Sequence, residues 1–231
     1  MKKISLLVLT VITLFLSSFT LNKKPVLYPE LNSFIHAAEK NFGSIPEERQ
    51  KQLKKLSLYV KSKLAAEKKV SLVFICTHNS RRSHMAQLWS LAAANYYRVK
   101  GVSTYSGGTE ATAFNPIAVK TLISAGFKID KKSDAKNPIY TVKFADGVPA
   151  AELFSKKYMD APNPTNNFAA VMTCSQADKT CPNVQGASLR IAIPYEDPKA
   201  SDGTPQQDAV YKERSKQIAT EMAYVFSQLK K

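Results

Sequence analysis

The sequence predicts an α/β fold: a three-layer αβα sandwich around a four-stranded parallel sheet, preceded by an N-terminal helical extension. Three observations predict it. Short apolar runs of strand length recur after residue 69. Segments with helical periodicity separate them, and such alternation builds a mostly parallel sheet covered on both faces. Between residues 25 and 68 the apolar spacing is helical.

The chain has 231 residues, 44% of them hydrophobic, which supports a sizeable core and excludes wholesale disorder. A formal charge of +15 favours anionic partners without choosing among phosphate-like ions, nucleic acid and lipid headgroups. Three cysteines are too few for a disulfide scaffold in a chain of this length, and their odd number points, in an exported protein, to a reactive thiol or an intermolecular pair.

Met1-Lys2-Lys3 is basic, Ile4 to Leu21 carries no charge and no proline, and Lys23-Lys24 follows. Residues 1–24 therefore predict a signal peptide or a membrane anchor, with membrane association through residues 4–21. That places the chain outside the cytoplasm (periplasmic) or on a membrane, with a cytoplasmic location as the alternative.

Residues 25–68 form the predicted extension. Leu27, Leu31, Phe34, Ile35, Ala38 and Phe42 recur at helical spacing. Ser44-Ile-Pro-Glu47 has the form of a capping box that opens a second helix, with Leu53, Leu56, Val60 and Leu64 on its apolar face. These helices hold no chemical cluster, and they are expected to pack on the domain or to meet a partner.

The domain spans residues 69–231. Val70 to Ile75 reads as the first strand, and Met85, Leu88, Trp89, Ala92 and Tyr96 mark the buried stripe of a helix starting near Ser83. Val102 to Tyr105 is the second strand. Asn115-Pro116 caps a helix that stops near Gly126. Phe168 to Thr173 and Leu189 to Ile193 complete the sheet, and Thr204-Pro-Gln-Gln207 opens the last helix. Residues 132–167, rich in proline with one strand-like run at Tyr140 to Phe144, read as an irregular insertion or lid.

Between first strand and first domain helix lies Cys76-Thr77-His78-Asn79-Ser80-Arg81-Arg82-Ser83. A tight loop leading into a helix N-terminus points its N–H groups at an anion. Thr77, His78, Asn79, Ser80, Arg81, Arg82 and Ser83 are thus the candidate oxyanion-binding residues. Arg82 can add a two-pronged contact to tetrahedral oxygens. Such a place favours the thiolate form of a cysteine. Ser83 can donate to the sulfur, and Asn79 suits a left-handed turn. His36 and His84 form no site, and no metal-ligand spacing stands out.

With CTHNSRRS stand SGGTEATAFNP, VMTCSQADKTCP and YEDP. Together they resemble the low-molecular-weight protein tyrosine phosphatase superfamily, and within it the thioredoxin-coupled arsenate reductases. The resemblance runs from about Val70 to the C-terminus and implies a phosphatase-I-like fold. It also implies that Cys76 is the nucleophile, that Asp197 of the Asp-Pro pair is the acid, and that arsenate is reduced to arsenite by a relay through Cys174 and Cys181. Those two thiols would form a redox disulfide that a thioredoxin-like protein reduces, without cofactor, metal or nucleic acid.

A Cys174–Cys181 bond needs its segment to unwind. Seven residues of regular helix separate Cα atoms by roughly 10 Å, whereas a disulfide needs roughly 4.4–6.8 Å. Pro182 makes the end of that segment easy to distort. Two loop positions depart from the family: His78 stands where glycine is usual, and Arg81 where a cysteine or apolar residue is common. Lys199-Ala-Ser follows the Asp-Pro where phosphatases carry aromatic residues. Two other readings stay open. One is a phosphatase acting on phosphotyrosine or small phosphoesters, and the other is a non-catalytic anion sensor or membrane-tethered module.

Overall fold

The structure, a computed structural model, describes residues 26–181 and 183–229. The leader read from residues 1–24 and the distorting role read for Pro182 lie outside them. In chain order the elements are α1 (Pro29–Glu39), α2 (Glu47–Glu67), β1 (Val70–Cys76), α3 (Arg82–Tyr96), β2 (Val102–Gly108), α4 (Pro116–Ser124) and β3 (Lys128–Lys131). There follow β4 (Tyr140–Lys143), β5 (Ala151–Leu153), β6 (Phe168–Met172), α5 (Ser175–Thr180), β7 (Ala187–Ala192) and α6 (Gln207–Ser227). Among the described residues no helix is long and apolar enough to cross a membrane.

The main sheet is four-stranded and parallel, in the order β2-β1-β6-β7. Successive side chains of a strand face opposite ways, so β1 feeds two cores. Leu72 and Phe74 enter the larger one with α1, α2, α3, α4 and α6. Val73 and Ile75 enter a smaller one with β6 residues Ala170 and Met172 and with Ala177 of α5. The sandwich therefore has three layers of unequal thickness, with short α5 and the segment around Tyr158 as the thin one. In the thick layer Trp89 is fully buried, donates its indole N–H to Ser215 Oγ at 2.9 Å, and stacks on Phe34 of α1 at 4.6 Å between ring centroids.

The extension shares that core. Leu31 and Ile35 of α1 and Leu53, Leu56 and Val60 of α2 are all completely buried in it. Truncating one such residue to alanine typically costs about 2–5 kcal/mol.

Two sequence expectations are corrected. Ser44-x-x-Glu47 makes no capping box. Pro46 is the N-cap of α2, while Ser44 sits in a 3₁₀ turn and donates its hydroxyl to Asn41 O at 2.7 Å. The proline's fixed φ, with ψ at 144°, starts the helix and leaves the serine two residues too early to cap it. Residues 132–167 are not irregular throughout. Within them β4 pairs antiparallel with β3 on one side and β5 on the other, with Tyr140, Val142 and Leu153 buried. The strand-like run at Tyr140 is β4, whereas β3 and β5 are too short to be recognised without their partner.

Candidate oxyanion site at the ends of β1 and β6

The chain leaves β1 for β2 on one side of the sheet and returns to β6 on the other. The carboxyl ends of β1 and β6 thus flank the point where the winding reverses, the usual place for a ligand in an open α/β sheet. Cys76 ends β1 and is 3% exposed, and Cys174 follows β6 by two residues at 1%.

The loop between Cys76 and Arg82 is held from outside by its carbonyls. Cys76 O accepts from Thr109 N at 3.1 Å and Thr77 O from Glu110 N at 2.8 Å. His78 O accepts from Ser155 Oγ at 3.0 Å and Thr112 Oγ1 at 3.1 Å, and Ser80 O from Asn115 N at 2.9 Å. None of the N–H groups of residues 77–81 donates to a described residue. Carbonyls turned out with N–H groups left over is the arrangement of an anion nest. Gly108 permits the close approach: a Cβ there would stand 2.6 Å from Thr77 O and 2.1 Å from Glu110 O.

Asn79 supports the loop from within, at φ +43° and fully buried. Its Oδ1 accepts from Lys156 N at 2.9 Å, and that backbone donor fixes which way the amide faces. Asn79 Nδ2 then donates to Ser83 Oγ at 2.9 Å. With a lone pair so engaged, the Ser83 hydroxyl is free to donate to Cys76 Sγ, 3.1 Å away.

The two arginines go different ways. Arg82 donates from Nη1 to Tyr195 O at 3.0 Å and from Nη2 to Asp197 Oδ2 at 2.5 Å. Its Nε is buried with no partner among the described residues. Asp197 also accepts from Lys199 N at 3.1 Å through its other oxygen. Arg81 is committed elsewhere: Nε donates to Tyr211 OH at 2.6 Å and Nη2 to Asp202 at 2.7 Å, while Tyr211 donates to the same carboxylate at 2.7 Å. Burial and the Asp202 partner push the Tyr211 phenol up to about 12. His78 is half-buried, its Nε2 lying 3.6 Å from Glu110.

All three cysteines are free thiols and belong to the smaller core, with Cys181 packed at its edge. Cys174 is the N-cap of α5, its sulfur accepting from Ala177 N at 3.3 Å. The same sulfur lies 3.5 Å from Thr77 Oγ1, which links it to the loop. Cys181 closes α5, and Arg190 holds its carbonyl at 3.0 Å and Asp178 Oδ1 at 2.6 Å.

Several contributors escaped the sequence reading. Ser155 and Lys156 back the loop from the segment read as irregular, and Arg49, from the extension, reaches the segment that leads to Asp197. Lys156 is 4% exposed, and burial pulls its ammonium down to about 8. His84 stacks on Phe114 at 4.0 Å and sits 3.1 Å from Ser106 Oγ. Burial, reinforced by Lys156, holds its imidazole well below the usual histidine range. Only the doublet Ser155-Lys156 between prolines could have hinted at a role, and it carries no motif.

No family model matches the chain. Among curated proteins it is similar to an arsenate reductase of Bacillus cereus (strain 03BB102), 27% identical over 136 residues, which cover 59% of this chain and 82% of that one. An arsenate reductase of Brevibacillus brevis is 28% identical over 137 residues, covering 59% and 82%. Similar solved structures include a low-molecular-weight protein tyrosine phosphatase from T. tengcongensis, with TM-score 0.48 and 17% identity over 69% of this chain and 99% of that one. Another is described as an arsenate reductase in the phosphate binding state, with TM-score 0.46 and 14% identity over 69% and 98%.

Proposed function

We propose that the chain reduces arsenate to arsenite by a relay of three thiols, regenerated by a thioredoxin-like protein. The observation that carries this reading is that three free cysteines belong to one small core, beside a loop whose N–H groups have no partner among the described residues. A phosphoester hydrolase needs the first cysteine alone.

The residues divide the work as follows. The loop N–H groups and the Arg82 fork take the oxyanion, which displaces the fork from Asp197. The Cys76 thiolate attacks arsenic and an oxygen leaves as water, with Asp197 supplying the proton. The Cys174 thiolate attacks Cys76 Sγ. The Cys76–arsenic bond breaks, its electron pair reduces arsenic from the pentavalent to the trivalent state, and arsenite departs. Cys181 then attacks Cys174, freeing Cys76 and leaving a Cys174–Cys181 disulfide. A thioredoxin-like dithiol reduces that bond. Thr77 Oγ1, beside Cys174 Sγ, is placed to hold this second sulfur against the loop. The side of the membrane to which residues 1–24 send the chain decides which thioredoxin-like donor it meets.

The test is sustained arsenite formation by the reduced full chain with a thioredoxin system, with and without Cys181→Ser, beside a phosphoester assay. Multiple turnovers that fall to about one in the variant support the relay. Undiminished phosphoester hydrolysis in the variant, without arsenite from either chain, makes the protein a phosphatase.

A further inference from the structure

We propose that the N-terminal extension supplies a positioning residue for this site: Arg49, on the first turn of α2, sets where the segment carrying Asp197 stands. The claim rests on the reading of Asp197 as the acid.

Arg49 Nη2 donates to Pro194 O at 3.0 Å. Proline has no N–H, so its carbonyl is the only backbone group by which that residue can be held. The guanidinium also lies over the Tyr195 ring, 4.9 Å from its centroid. Asp197 is two residues further on. The next backbone groups are fixed as well: Tyr195 N donates to Thr173 O at 3.0 Å, and Tyr195 O accepts from Arg82. Arg49 and Arg82 thus clamp the segment from opposite ends, one from the extension and one from the oxyanion loop.

The clamp has a rigid base. Glu221 of α6, 4% exposed in its side chain, accepts from Arg49 Nε at 3.0 Å and Nη2 at 2.8 Å. The α2 helix itself is fixed to α6 by Ser57 Oγ donating to Val225 O at 2.9 Å, and to β7 by the Tyr59–Ser188 hydroxyl pair at 2.6 Å. A loop gains its precision from such anchors on packed helices. In this arrangement the extension is part of the site's support, although none of its described residues belongs to the core that holds the cysteines.

Two variants of the full chain test this. Arg49→Lys keeps a charge beside Glu221 but cannot span both partners with a planar fork. Arg49→Met combined with Glu221→Leu removes the buried pair without stranding either charge. Residue-resolved amide exchange reports the segment directly, and steady-state arsenite formation reports the consequence. Exchange at Tyr195 and Lys199 is expected to rise about tenfold, with the β1 amides unchanged. Turnover is expected to fall roughly tenfold to a hundredfold while KM stays within about threefold.

Unchanged exchange and turnover in a folded variant overturn the proposal, as does faster exchange with full turnover. Global melting of both variants assigns Arg49 to stability alone and overturns it too. If the unaltered chain makes no arsenite but segment exchange still rises, the clamp stands and the arsenate reading falls.

Discussion

Arg82 Nη2 stands 2.5 Å from Asp197 Oδ2, so the residue that opens α3 and the carboxylate read as the acid hold each other across the mouth of the loop. The pair is partly buried, with side chains 11% and 33% exposed. On the proposed reading, an oxyanion and Asp197 compete for one guanidinium.

That competition predicts different failures for the two residues. Asp197→Asn should keep oxyanion binding within about threefold and lower turnover by roughly 10²–10⁴. Arg82→Lys should weaken phosphate and arsenate binding by roughly tenfold or more, because an ammonium cannot replace the fork. Calorimetry on both variants separates the cases, and equal loss of affinity in both would refute the assignment.

The Asn79 amide joins Lys156 N to Ser83 Oγ, and through Ser83 reaches Cys76 Sγ. Asn79→Ala should cost about 2 kcal/mol by urea denaturation, since it strands the buried N–H of Lys156 and puts an alanine in a left-handed turn. Cys76 alkylation by iodoacetamide at pH 7 should also slow, because the serine donor loses its orientation. An alkylation rate equal to that of the unaltered chain would remove Ser83 from this role.

Cys174 caps α5 with its own sulfur. Engaging that sulfur in a bond to Cys181 takes away the cap, and the span of the helix must also shorten. In the oxidised chain the amides of residues 177–181 are expected to exchange at least tenfold faster than in the reduced chain. Full protection of α5 after oxidation would mean that this disulfide does not form by unwinding.

Lys156 makes stability depend on alkaline pH. Its folded value is about 8, down from 10.5, chiefly through burial. Between those values the unfolded chain holds one more proton than the folded chain, so stability rises with pH across that window and is lowest below it. The span corresponds to about 3 kcal/mol. Lys156→Met should be more stable than the unaltered chain at pH 7 and should lose the rise between pH 8 and 10.5. Denaturation midpoints across that range are the check, and parallel curves for the two chains would show that burial is not taxing the ammonium.

The local features were readable from residues. The strand at Val70 follows from a run of β-branched and apolar side chains. The N-cap at Asn115 is present as read, its Oδ1 accepting from Ile117 N at 2.9 Å and Ala118 N at 3.1 Å. The loop after Cys76 was recognisable because cysteine, small polar residues and arginine stand there in immediate succession. The Ser44 reading failed because it took a four-residue pattern without the proline that sets the helix start. The small sheet of β3, β4 and β5 was missed because strand pairing is non-local.

The sequence by itself determined the four strands of the main sheet, the loop after Cys76 with its residue types, and the presence of three thiols, since each depends on side-chain type and near-neighbour spacing. Only the tertiary structure decided that Arg81 turns away to Asp202 and Tyr211, that Lys156 and Ser155 back the loop, and that Arg49 reaches Pro194 across 145 residues of chain. Those contacts follow from how buried faces stack. A guanidinium in a packed interior goes to whichever carboxylate and carbonyl the packing brings near, because leaving it unpaired there would cost more than any local preference can repay.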